Sequence, residues 1–109
     1  MSDELTTIYN KQQLERILEE ALIYMCACPA QVAEELLHLR KLFAYQQNCI
    51  SKGALMADVH HRISDSARKA HAEMEQCLGD VLQMEGWNTQ TFAMPAGLRQ
   101  VRQQSMDQD

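Results

Sequence analysis

Pro29 breaks an apolar pattern that otherwise recurs at helical spacing from Leu14 to Ile50. Proline lacks the N–H that a helix interior needs, and its ring clashes with the preceding turn. In the first turn of a new helix it is well placed. The chain must therefore change direction at Cys26-Ala27-Cys28-Pro29. Ser51-Lys52-Gly53 imposes a second stop, because Gly53 can take the left-handed conformation that ends helices.

These two stops leave three helical segments, at about residues 10–28, 29–52 and 54–85. Asn10 can cap the first, with Gln13 at the capping-box position, and Leu14, Ile17, Leu18, Ala21, Leu22 and Met25 follow as its apolar face. In the second, Val32, Leu36, Leu39, Phe43, Gln46 and Ile50 form a core-facing stripe. In the third, the stripe expected to face the core is Met56, Val59, Ile63, Ala67, Ala70, Met74, Cys77, Val81 and Met84. Gly79 is a weak point, costing about 1 kcal/mol relative to alanine. Gly86 is the expected stop, with Trp87 packing back on Leu82 in a Schellman-type cap.

Short connections make consecutive helices antiparallel neighbours. The expected fold is all-α, an antiparallel three-helix bundle over residues 1–87 with a C-terminal tail at 88–109 that lies partly over it. The scarcity of aromatic residues, 6%, and the abundance of Leu, Met and Ala agree with helices rather than strands. Helix two carries a second apolar line, Leu42, Tyr45 and Cys49, with Leu37 on its flank. A wide apolar face has two partners, and self-association or a protein partner through helix two is the expected interaction.

The four cysteines are the one concentration of reactive chemistry. Helix two descends about 34 Å from Pro29, and Cys77 climbs about 33 Å along helix three, at 1.5 Å per residue. Cys77 should thus return to the level of Cys26 and Cys28, while Cys49 lies at the opposite end. Three thiolates there would suit copper(I), zinc or, with a fourth ligand, an iron–sulfur cluster, or would serve one another as thiol-redox partners. Cys28, at the start of helix two, is the expected reactive thiol. Packing explains each cysteine singly as well, since free cysteine behaves as a small buried hydrophobe. The spacing is neither the paired Cys-x-x-Cys of zinc sites nor the single one of thioredoxin-like sites.

The remaining polar residues are read as ordinary surface. Glu19, Glu20, Glu34 and Glu35 belong to solvated faces, His71 to the edge of the third stripe, and the seven methionines to packing rather than to copper binding. There is no glycine-rich phosphate loop, no serine elbow, no nucleotide fingerprint and no di-iron pattern. An enzyme is the class least expected. A net charge of -5 with mixed signs argues against nucleic-acid binding. The N-terminus lacks a signal-peptide pattern, and the longest apolar run, Ala21 to Cys28, is too short to span a bilayer. A cytoplasmic location is the resulting expectation.

Overall fold

A computed structural model describes residues 5–23, 28–53 and 56–95, with the side chains of 21–23 left aside. It is all-α, an antiparallel three-helix bundle: α1 (Lys11–Ile23), α2 (Cys28–Ser51) and α3 (Ala57–Glu85). α2 packs along α3, and α1 packs on α2. The antiparallel sense shows in two cross-links, Arg40 to His71 near mid-height and Gln46 to His60 further down. As numbers rise on α2 they fall on α3.

The helix ends follow from local chemistry. Asn10 Oδ1 accepts the Gln13 N–H at 2.8 Å, and Gln13 Oε1 accepts the Asn10 N–H at 2.9 Å. This reciprocal pair satisfies two of the free donors at the start of α1. Gly53 sits at φ 68°, beyond the end of α2. Gly86, at φ 80°, ends α3: its N–H reaches the Gln83 carbonyl at 3.1 Å and the Trp87 N–H reaches Leu82 at 2.9 Å, the bond pattern of a Schellman cap. The third helix begins at Ala57 rather than near Ala54, because Met56 holds a left-handed conformation, φ 65°, that helical backbone cannot include.

α1 is about 20 Å long against about 36 Å for α2, at 1.5 Å per residue, so it covers only part of its neighbour. Leu14 and Ile17 of α1 join Ala30, Ala33, Leu36, Leu78 and Leu82 in the core. Segment 87–95 closes this core, contributing Trp87, Phe92 and Met94. Asn88 Oδ1 accepts the N–H groups of Gln90 and Thr91 at 2.8 and 2.9 Å, which turns the segment back on itself. Phe92 then meets Tyr9 edge-on, with ring centroids 6.1 Å apart. The first part of the tail therefore lies across the bundle; residues 96–109 fall outside the described residues.

The stripe of α3 departs from expectation. Its buried residues are Ser64, Ala67, His71, Glu75, Leu78 and Leu82. Of the expected stripe, only Ala67 is buried. Ile63, Ala70, Met74, Cys77 and Val81 are half-buried, and Met56, Val59 and Met84 are exposed. α3 carries two adjacent lines of 3–4 spacing, and the less apolar one faces inward.

Candidate functional site

The inward line of α3 is polar because it holds a side-chain network. His71 is wholly buried, and Glu75, one turn on, nearly so. Arg40 of α2 reaches between them. Its Nε donates to His71 Nε2 at 2.9 Å, and its Nη2 donates to the Tyr9 carbonyl and lies 3.5 Å from Glu75 Oε2. Glu75 Oε2 also accepts the N–H groups of Ile8 and Tyr9, at 2.7 and 3.1 Å. The carboxylate thus ties down the segment before α1, where the chain has no helix to satisfy its own donors.

Accepting at Nε2 assigns the proton of the neutral His71 ring to Nδ1. That Nδ1 lies 3.5 Å from Glu75 Oε1, yet it lacks the alignment for a hydrogen bond. It is the buried side-chain polar atom without such a bond among the described residues. Burial pushes the His71 pKa down; Glu75 opposes this, and the Arg40 charge adds to it. Tyr9 is raised, by burial first and then by the charges of Glu75 and Asp80. Gly79 belongs to the same arrangement: a Cβ there would stand 3.1 Å from the Tyr9 hydroxyl.

Two expectations about polar residues are corrected by this packing. His71 is not an edge residue but lies at the centre of the α2–α3 contact. Glu20 is not solvated: it is buried, with Oε1 accepting the Met94 N–H at 2.8 Å and Oε2 3.6 Å from Arg16. It anchors the closing segment as Glu75 anchors the opening one. The sequence carries a signal for the inward line in Leu78 and Leu82, two leucines that the apolar stripe of α3 leaves out.

Opposite this covered side, the α2–α3 hairpin presents a face that is open among the described residues. Leu39 and Leu42 of α2 line a shallow groove with Ile63, Ser66, Ala67 and Ala70 of α3. Arg62 stands at its margin, donating to the Ser66 hydroxyl. Leu42 is 41% exposed and Val59 44%. Cys49 follows Leu42 by seven residues, two helical turns, and shares its side of α2. Leu37 does not belong to this line. It is turned about 140° from Leu42 at 100° per residue, and it shares a cleft with Lys11 of α1.

The thiols differ in exposure. Cys28 is exposed at the first residue of α2, while Cys77 and Cys49 are half-buried. Cys26 lies outside the described residues, so the expected trio of Cys26, Cys28 and Cys77 is represented by two of its members. No group of three or more His, Cys, Asp or Glu suited to a metal occurs among the described residues. Among those residues, too, no helix is long and apolar enough to cross a membrane.

Comparison with protein-family models, curated proteins and solved structures gives no match.

Proposed function

We propose that the chain is a non-enzymatic association module whose working surface is the open face of the α2–α3 hairpin. One observation carries this reading. α3 buries Ser64, His71 and Glu75 inside the chain and leaves Val59, Ile63, Ala70, Met74, Cys77 and Val81 half or fully exposed. A helix that leaves its more apolar line half or fully exposed is shaped for a second contact. The exposed Leu42 and Tyr45 extend that surface onto α2. A cytoplasmic setting, where thiols stay reduced, is part of the proposal.

Ala70, half-buried at the middle of the face, is the position to test. A glutamate there puts an unpaired charge where a partner would exclude water. Sedimentation of the full chain at micromolar concentration should show an associated species that Ala70→Glu abolishes. A monomer that binds no apolar dye, and whose behaviour Ala70→Glu leaves unchanged, would remove the proposal.

A further inference from the structure

We infer that the occupant of the open face is a second copy of this chain, seated antiparallel with α3 against α3. The inference rests on the association reading above and names its partner. The outward line of α3 is Val59, Ile63, Ser66, Ala70, Met74, Cys77 and Val81, each half-buried or exposed, with Met74 also packing against the edge of the core. Its steps are 4, 3, 4, 4, 3 and 4, which read the same in both directions about Ala70. A two-fold axis through Ala70 therefore maps this line onto itself. It sets Val59 against Val81, Ile63 against Cys77, and Ser66 against Met74 of the second copy. Larger side chains meet smaller ones in two of these layers, and the two Ala70 residues let the helices approach at the axis. An isologous contact requires this reciprocity.

α2 gives an independent check. Arg40 bonds His71, so the level of Ala70 on α3 corresponds to about residue 40 or 41 on α2. The same axis then sets Leu39 of one copy against Leu42 of the other, and these are the two leucines lining the groove. Two hairpins so stacked form a four-helix bundle with each α1 on the outside.

Charge and area fit this occupant. None of the seven outward positions on α3 is charged, so two copies meet without unpaired charges on that line. The face from Val59 to Val81 is about 33 Å long at 1.5 Å per residue and two helices wide. That amounts to about 700 Å² per copy, close to the ~800 Å² per partner of stable interfaces.

The test combines mass with a cross-link. Ile63→Cys places a thiol 14 residues from Cys77 on one helix, about 21 Å away, beyond the reach of a short bis-maleimide. In the full chain at micromolar concentration the sedimenting mass should double that of the monomer. The maleimide should join the introduced thiol of one copy to Cys77 of the other, with the peptides identified by mass spectrometry. Cys77→Ser in the same chain should abolish that link, and Ala70→Glu should weaken the dimer at least tenfold while circular dichroism stays helical. A dimer without this cross-link overturns the antiparallel seating. A monomer that joins a different protein in an Ala70-dependent way overturns self-pairing and leaves the association reading standing. A monomer indifferent to Ala70→Glu overturns both.

Discussion

The two sides of the α2–α3 hairpin are built on different principles. The covered side meets α1, the opening segment and residues 87–95, and it is keyed by polar groups: Glu75 on the Ile8 and Tyr9 amides, Arg40 on Tyr9 and His71, Glu20 on the Met94 amide. The open side has apolar area and no charge along its α3 line. Polar keys cost desolvation and return geometry, since a buried carboxylate accepts hydrogen bonds at defined positions only. They suit a contact between irregular segments that must find one register within a chain. Apolar area suits a contact that forms after folding, between surfaces already rigid.

The strongest challenge to this contrast is Glu75→Ala. It strands Arg40, which is largely buried, and frees two backbone donors. Breaking such a buried pair should cost about 3–5 kcal/mol, read from a denaturant midpoint. Hydrogen exchange should show the Ile8 and Tyr9 amides losing protection. Ala70→Glu, measured where the chain is monomeric, should stay within about 0.5 kcal/mol, as surface changes do. If the two substitutions destabilise the monomer alike, the open side is part of the core and the contrast fails.

Next comes Glu20→Ala. Removing an acceptor from a buried N–H costs about 1–3 kcal/mol, and here the donor is Met94. The effect should be local to the closing segment. Trp87, the single tryptophan and a core residue, reports on it. Its fluorescence should shift to the red before the helical signal is lost. Simultaneous loss of both signals would show that residues 87–95 are inseparable from the helices.

The pH dependence of stability sharpens the covered side further. His71 is held neutral by burial, with its folded pKa below the ordinary 6.5. The unfolded chain then binds the proton more readily than the folded one. This contribution to stability is complete above pH 6.5 and is lost as pH falls from there through the folded pKa. Each tenfold difference in proton affinity is worth about 1.4 kcal/mol. The groups facing the ring are Arg40 and Glu75. Denaturant midpoints should fall between pH 7 and pH 5.5, and His71→Gln should flatten the slope. A slope unchanged in that variant would assign it to other groups.

The parts legible in the sequence are those governed by neighbours along the chain. The Asn10–Gln13 box, the stop at Gly53 and the Gly86–Trp87 cap each depend on residues a few positions apart, and each occurs where the pattern places it. The stripe of α2 is legible too, with Leu36, Phe43 and Gln46 buried. The inward line of α3 is not. Two lines of helical spacing lie side by side on that helix, and hydrophobicity alone selects Val59 to Val81 over Ser64 to Leu82. What decides between them is the fit of His71 and Glu75 to Arg40 and to the Ile8 and Tyr9 amides. Those partners are 31 to 67 residues away in sequence and leave no local trace. Glu20 escapes a local reading for the same reason, since its partner Met94 lies 74 residues on. The apolar residues that periodicity assigns to the core form the candidate docking face instead.

The smallest effect, and the finest discrimination between the two sides, lies in the cysteines. Alkylation needs access to sulfur. Cys28 is exposed at the first residue of α2, whereas Cys49 and Cys77 are half-buried. Cys77 follows Ala70 by two turns on the outward line, and Cys49 follows Leu42 in the same way on α2. In dilute protein Cys28 should react first, with Cys77 and Cys49 slower through partial burial alone. As protein concentration rises, the three should diverge. Pairing through the open face withdraws Cys77 from reagent in proportion to the fraction paired, so its rate should drop a few-fold. Cys28 lies at the start of α2, beyond the groove, and should keep its rate. Ala70→Glu should restore the dilute rate of Cys77 at every concentration. Site-resolved mass spectrometry over a concentration series measures all three thiols at once. A Cys77 rate that never varies with concentration would mean that nothing covers the outward line of α3. A Cys28 rate that falls in step with Cys77 would move the contact to the top of the bundle.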